Sequence, residues 1–171
     1  MNPFFPCPHR ASRHLVGGLC SLMMCMLAIP TQAGVSVVFA NPDGYADMPL
    51  TESGKADVLK ALEGHFAQFA KRLPSGKELK IEVLDIDLAG RLERSIRYSV
   101  DMRVLRGGAD WPSINLRYSL EESGKVVRNG EARLIDMNYL NHHNRYAASD
   151  PVRYEKVMID NWFRSTILDS Q

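Results

Sequence analysis

The sequence predicts an α/β fold of the α+β type: a two-layer sandwich in which one mixed, mostly antiparallel sheet of about five strands carries two helices on one face. Three observations support it. An apolar β-branched run, an amphipathic helical pattern and a second apolar run follow one another. Three later segments alternate apolar and polar residues as strands do, and a second helical pattern comes after them. The predicted element order is therefore β-α-β-β-β-β-α.

The first three elements are predicted to form a strand–helix–strand unit. Val35–Ala40 is apolar and β-branched, which indicates a strand buried on both faces. Lys55–Leu73 has helical periodicity, with Thr51 or Ser53 available as the N-cap. Leu79–Leu88 is predicted to be a strand, and the crossover through the helix predicts that it runs parallel to the first strand. The apolar stripe of the helix consists of Val58, Leu62, Phe66, Phe69 and Leu73.

The second half of the chain predicts antiparallel strands and a closing helix. Ser95–Leu105 and Ile114–Glu121 alternate cleanly, and Ser123-Gly124-Lys125 is predicted to be the turn that leads into Val126–Met137. Val152–Leu168 has a broad apolar side and is predicted to be a helix. The outward-facing side chains predicted for the sheet, or their neighbours, are Arg97, Asp101, Arg103, Asn115, Arg117 and Arg128.

Two local details are also predicted in this half. Gly130 lies inside a strand pattern, which favours a β-bulge at that position. Asp150 and Pro151 precede the last helix, and this pair is typical of an N-cap followed by the first helical residue.

The N-terminal segment, residues 1–33, is predicted to be a cleavable signal peptide. Arg10 and Arg13 precede the uncharged run Leu15–Ile29, and Thr31 and Ala33 have the small side chains that a signal peptidase reads. The apolar run is shorter than the ~20 residues that a membrane-spanning helix needs. We therefore expect residues 34–171 to form one globular domain in the periplasm, with no membrane span after cleavage.

The composition narrows the possible partners and cofactors. All three cysteines (Cys7, Cys20 and Cys25) lie in the predicted signal peptide, so the predicted domain has no thiol for a disulfide, a metal site or a nucleophile. The formal charge of the chain is +1. Loss of Arg10 and Arg13 would take it to about −1, and nucleic-acid binding normally needs a strongly basic domain. We expect no nucleic-acid partner and no cofactor.

Three stretches of the sequence resemble one family. They are Ile81–Gly90 (IEVLDIDLAG), Trp111-Pro112 with Ile114–Leu120 (INLRYSL), and Asn144–Lys156 (NRYAASDPVRYEK) closing with Trp162-Phe163. Together they resemble an uncharacterised family of small exported proteins of Gram-negative bacteria, the domain of unknown function 3016. The resemblance implies export and a single domain, and it supports a cleavage site near Ala33. It implies no activity, ligand or catalytic residue.

Asp85 and Asp87 are the first candidate site. Residues two apart on a strand point to the same face, so the two carboxylates could bind a hard cation or divide acid and base roles. The alternative, which we favour, is that they pair with Arg97, Arg103 or Arg117 on neighbouring strands. The face that they share is predicted to include Ile81 and Val83, opposite Leu84, Ile86 and Leu88.

The loop before the last helix holds the second and third candidates. Adjacent His142 and His143 are weak candidates for a metal site, since no further histidine stands at ligand spacing. Arg145 and Arg153 could clamp a carboxylate or phosphate near the helix start, with Tyr146 or Tyr154 as a cover. The alternative, which we favour, is structural: Asp150 caps the helix, Arg153 pairs with a carboxylate and the tyrosines pack.

Three functions are open at this point, in the order in which we favour them. The first is a non-enzymatic module that binds a protein or an envelope component, for which exposed Trp111 and arginines free of internal ion pairs would be the sign. The second is a small-molecule or metal-ion binding protein that uses Asp85 and Asp87. The third is a small hydrolase or lyase. A homodimer through an exposed sheet edge is also left open.

Overall fold

A computed structural model describes residues 33–95 and 100–169, with side chains omitted for residues 94–101. The main sheet has four strands in the order β1-β2-β5-β6, and β3 and β4 form a separate two-stranded sheet. The strands are β1 (Gly34–Phe39), β2 (Lys77–Asp87), β3 (Arg91–Ser95), β4 (Val100–Val104), β5 (Ser113–Glu122) and β6 (Lys125–Ile135). The helices are α1 (Glu52–Ala67) and α2 (Arg153–Trp162). The predicted fold class, an α+β sandwich with a mixed sheet and two helices, is confirmed.

Helix α1 forms where its periodicity predicts it, and it begins three residues earlier. Thr51 is the N-cap, and its hydroxyl accepts a hydrogen bond from the amide of Gly54 at 3.1 Å. A 3₁₀ turn, Gln68–Lys71, continues the helix toward Leu73. All five residues of the predicted stripe are buried, so α1 covers one face of the sheet with an uninterrupted apolar surface.

Strand β2 contains a β-bulge that the sequence pattern does not reveal. The register against β5 shifts between Val83 and Asp85, which adds a residue to β2 at that point. Because the bulge reverses the alternation, Ile81 and Val83 are buried on the same face as Ile86 and Leu88. The prediction that placed Ile81 and Val83 on the face opposite Ile86 and Leu88 is therefore wrong.

The parallel pairing of β1 and β2 is confirmed, with Val35 opposite Leu79 and Val37 opposite Ile81. The prediction that the first strand is buried on both faces is wrong. Strand β1 lies at an edge of the sheet, and Val38 on its outward face is 62% exposed. Only one face of β1 meets the helices, because both helices pack on the same side of the sheet.

The predicted strand Ser95–Leu105 is divided between two elements. Ser95 ends β3, β4 is Val100–Val104, and the two pair antiparallel outside the main sheet. The main sheet therefore has four strands rather than about five. Residues 96–99, including Arg97, lie outside the described part of the chain. Clean alternation predicts a strand but carries no information about which sheet the strand joins.

Strands β5 and β6 form the predicted hairpin. Ser123 and Gly124 make its turn with φ values of 52° and 76°, which is the left-handed geometry that a two-residue hairpin turn needs. The bulge predicted at Gly130 is instead at Val127, where the register shifts between Leu120 and Glu121. Gly130 pairs with Tyr118, and a Cβ at position 130 would lie 3.2 Å from the Tyr118 hydroxyl. The glycine therefore makes room for an aromatic ring.

Helix α2 begins at Arg153, after a turn that contains Asp150 and Pro151. The prediction that Asp150 is the N-cap is wrong, because Val152 occupies that position. The Asp150 carboxylate still accepts a hydrogen bond from the Val152 amide at 3.0 Å. A π-helical segment, Phe163–Leu168, extends α2.

The core lies between the main sheet and the two helices, and it joins α1 residues such as Leu62 and Phe66 to Ile159 and Phe163. Phe69 and Phe163 stack with ring centroids 3.9 Å apart. Within the described residues, no helix is long and apolar enough to cross a membrane. Residues 1–32 of the predicted signal peptide lie outside the described part of the chain.

Candidate functional site

Asp85 and Asp87 lie on the open face of the main sheet, the face opposite the helices. Both side chains are half-buried. The loop after β1 lies beside them, since Ala46 pairs with Asp87 and brings Asp47 close. Burial raises the pKa of Asp87, and the nearby charges of Asp47 and Asp85 raise it further, while Arg103 lowers it. The pair is thus part of a crowded acidic corner.

Arg103 lies near this corner and its charge lowers the pKa of Asp87, but the hydrogen bonds that it makes go to main-chain carbonyls rather than to the Asp85 or Asp87 carboxylates that the favoured alternative named. Its guanidinium donates hydrogen bonds to the carbonyl oxygens of Ala89 at 2.7 Å and Asp47 at 3.1 Å. Burial lowers the pKa of Arg103, while Glu155, Asp47 and Asp87 raise it. Arg103 therefore joins the β3–β4 hairpin to the end of β2, with both bonds made to main-chain carbonyls.

Arg117 lies elsewhere on the open face and is neutralised there. Its guanidinium contacts Glu82 at 2.7 Å and Glu131 at 2.9 Å, one carboxylate on each neighbouring strand. These residues line a depression of about 650 Å³ on the sheet surface. The depression offers little uncompensated positive charge, because its arginine is held between two glutamates.

Arg145 and Tyr146 contribute to a buried polar cluster between the two helices. The Tyr146 hydroxyl donates to Oδ2 of Asp160 at 2.5 Å, and Arg145 also donates to that oxygen. His65 Nε2 lies 3.2 Å from Asp160 Oδ1 without the alignment of a hydrogen bond. Burial alone would raise the pKa of Asp160, but its contacts with His65, Tyr146 and Arg145 hold it below the usual value.

Arg145 and Arg153 make different contacts, since Arg145 donates to Asp160 and the Arg153 guanidinium lies over the Tyr154 ring. The clamp of these two arginines stays a prediction. Arg153 lines a cavity of about 260 Å³ together with Arg103. The Asp150 carboxylate at the edge of this cavity receives a hydrogen bond from Lys156 at 2.6 Å.

The remaining candidate residues lie on the surface. His142 and His143 are exposed, and Nδ1 of His142 lies 3.0 Å from Oδ2 of Asp136. Trp111 is half-buried. Across residues 33–95 and 100–169, no three His, Cys, Asp or Glu side chains are grouped so that they could hold a metal ion.

Two buried carboxylates on α2, Glu155 and Asp160, were missed by the sequence reasoning. They are 1% and 2% exposed. A signal for them does exist in the sequence: Glu155 shares the helical stripe of Met158, Ile159 and Trp162, so it interrupts an apolar face. Glu155 Oε1 accepts a hydrogen bond from the amide of Ala89 at 2.8 Å, and burial raises its pKa.

A groove between β6 and α2 was also missed, because the sequence does not state which strand lies at the edge. The groove has a volume of about 610 Å³ and follows residues 132–135 of β6, and Asp136 just after it, alongside α2. Arg128 closes one end by donating a hydrogen bond to the carbonyl of Thr166. Asp136 and His142 stand at the other end. Among the described residues no strand pairs with the outer side of β6.

Comparisons with known proteins bear on the family alone. A family model described as a protein of unknown function (DUF3016) matches residues 33–165. This is the family that the three sequence stretches resemble, so the resemblance is confirmed. No curated protein matches the sequence. Export to the periplasm stays a prediction.

Proposed function

The chain belongs to the DUF3016 family, whose function is unknown, and we propose that it is a non-catalytic module that binds an extended segment of a partner protein along the outer edge of β6. The observation that carries the proposal is the groove beside an unoccupied strand edge. An edge strand presents main-chain N–H and C=O groups that pair readily with an added strand. Strand β6 is an edge of this kind among the described residues.

The groove gives such a segment a surface to pack against as well as a strand edge to pair with. Its wall on the α2 side includes Met158 and Trp162, and Leu134 lines it on the strand side. The five residues from 132 to 136, which are the last four of β6 and the residue after it, span about 17 Å at ~3.4 Å per residue. The bound segment would therefore be about five residues long, with alternate side chains directed into the groove.

Trp162 supplies a hydrogen-bond donor, its indole N–H, at the wall of this groove. Its ring packs against Tyr118 with centroids 5.6 Å apart, which fixes the indole at the groove wall. The residue is 7% exposed, and its Nε1 has no hydrogen-bond partner among the described residues. A buried donor without an acceptor is unfavourable, so a carbonyl of the bound segment would satisfy it.

The charges beside the groove favour an acidic partner segment. Arg133 lines the groove and Arg164 lies on the adjoining part of the helix, and both are exposed. The acidic residue at the groove, Asp136, is already matched by His142. Charge complementarity of this kind selects partners and raises association rates.

We place this interaction in the periplasm, as part of the same proposal. The basic start, the apolar run and the small residues before position 34 support export. The partner would then be a periplasmic or envelope protein with an exposed acidic, extended segment.

The experiment is selection of random decapeptides displayed on phage against the purified domain. We expect enrichment of acidic sequences, and loss of their binding in Arg133→Glu. The matched control is Arg91→Glu, which reverses the charge of an exposed arginine on β3, outside the groove. Methylation of single peptide amides should weaken binding at every second position, because a strand pairs through alternate residues.

Three results would overturn the proposal. The first is that no peptide is enriched, and the second is that Arg133→Glu binds as well as Arg91→Glu does. The third is a concentration-dependent dimer, seen by light scattering, that excludes the peptides, since a second copy of the chain would then occupy the edge.

The alternative functions have less support from the geometry. Ion binding would rest on Asp85 and Asp87, and the positive charge of Arg103 already acts on Asp87 and opposes a cation there. A hydrolase would need an accessible base, whereas His65 and Asp160 have side chains only 4% and 3% exposed. Calcium titration that raises the melting temperature, with the effect lost in Asp85→Ala, would favour the ion-binding function instead.

A further inference from the structure

The cavity between β2, β4 and the start of α2 differs in composition from the sheet-surface depression and the β6 groove described above, because two arginines line it. It holds about 260 Å³ and is bounded by Ala89 at the end of β2, Arg103 on β4 and Arg153 on α2. Ser149 and Tyr154 also face it. Two guanidinium groups and a hydroxyl therefore converge on one small space.

Arg153 lacks a counterion in this space. Among the described residues no carboxylate oxygen lies within 4.0 Å of its guanidinium, and its Nε is buried without a hydrogen-bond partner. Its guanidinium carbon lies 5.0 Å from the centroid of the Tyr154 ring, which holds the group in place without neutralising it. A partly buried cation in this state is unfavourable unless an anion pairs with it.

Arg103 is partly satisfied, and its bonds leave donors for a ligand. A guanidinium has five N–H donors, and the two bonds that Arg103 makes both go to main-chain carbonyls, of Ala89 and Asp47. Ser149 is exposed at the mouth of the cavity. The Arg103 side chain can therefore donate to a ligand and still keep its two hydrogen bonds to main-chain carbonyls.

The carboxylates near the cavity do not fill the role of the missing anion. Asp150 is held by Lys156 at 2.6 Å and by the amide of Val152 at 3.0 Å. Glu155 is fully buried and accepts a hydrogen bond from the Ala89 amide. Burial raises the pKa of Glu155, while the Ala89 amide and the charge of Arg103 lower it.

We infer that this cavity binds the carboxylate group of a small organic acid, gripped by Arg153 and Arg103 and covered by Tyr154. A guanidinium matches a carboxylate in a planar, two-bond geometry. Leu105, Ala148 and Pro151 also line the cavity, and their apolar side chains suit the carbon skeleton of an organic acid better than a hydrated inorganic phosphate. The site shares no lining residue with the β6 groove, so this inference does not depend on the peptide-binding proposal.

The test is an NMR titration of the arginine Nε–H signals of the domain with sodium acetate, sodium succinate and sodium phosphate at constant ionic strength. We expect saturable shifts of the Arg153 and Arg103 signals with the two carboxylates. Arg91, an exposed arginine on β3, should not shift. Arg153→Lys keeps the charge but loses the planar fork, so its affinity for succinate should fall about tenfold or more. Arg91→Lys is the matched control.

A second variant guards against a loss of affinity caused by misfolding. Ser149→Ala changes an exposed hydroxyl outside any helix or strand, and it should weaken succinate binding while the amide spectrum stays unchanged. The inference is overturned by shifts that do not saturate, by equal affinity in Arg153→Lys and the parent protein, or by phosphate that binds where acetate and succinate do not.

Discussion

Three buried residues with ionisable side chains, His65, Glu155 and Asp160, lie on or against α2. Asp160 is well compensated, since Tyr146 and Arg145 both donate to it and His65 lies beside it. Glu155 is poorly compensated, because Oε1 accepts one amide hydrogen bond while Oε2 has no partner among the described residues. The same helix thus carries one carboxylate that its surroundings stabilise as an anion and one that burial destabilises.

The raised pKa of Glu155 predicts a pH dependence of stability. The folded state binds the Glu155 proton more tightly than the unfolded state does. The stability that this proton adds is therefore fully present below the unfolded pKa of Glu155, near 4.5, and is lost as pH rises through the folded pKa. We expect the free energy of unfolding, measured by urea denaturation, to fall with pH in this window. Glu155→Gln should flatten the decline and keep the bond from Ala89. Glu122→Gln, at an exposed position, is the control and should leave the decline in place.

At the scale of elements, the sequence predicts what local periodicity controls and misses what pairing controls. The buried stripe of α1 and the inward face of β5 follow from spacing alone. The bulge at Val83/Asp85 does not, because an extra residue is tolerated only when the partner strand and the core make room for it. The open edge of β6 depends on the strand order, and so the groove beside β6 could not be predicted. Arg103 and Arg153 could not be paired either, since 50 positions separate them.

The start of α1 gives a direct comparison between two candidate caps. Thr51 receives the hydrogen bond from the Gly54 amide, whereas Ser53 lies within the first turn. Thr51→Ala should lower the free energy of unfolding by about 1 kcal/mol, the usual loss for a removed N-cap. Ser53→Ala should change it by no more than a few tenths of a kcal/mol, because alanine is the better helix former. Equal losses in the two variants would contradict the assignment of Thr51 as the cap.

For the whole molecule, the prediction that can be checked most directly is export. Expression of the full chain in a Gram-negative host should yield a periplasmic protein with the intact mass of Gly34–Gln171. Leu22→Arg places a charge in the apolar run and should leave the uncleaved chain inside the cell. Recovery of the uncleaved parent chain from the membrane fraction would contradict the signal-peptide prediction.

The order of elements along the chain also bears on how the domain folds. Helix α2 follows the six strands that the structure describes, yet it and its π-helical extension supply Ile159 and Phe163 to the core, and Glu155 of α2 bonds to an amide 66 positions earlier. Contacts between distant parts of a chain form late, since they require closure of long loops. A chain still being synthesised, or one threaded through a secretion pore, lacks these contacts until residues beyond 152 are free. Until then the apolar face of β5 and β6 stays open, which would keep a precursor unfolded long enough for transport and would make it a client for holding chaperones.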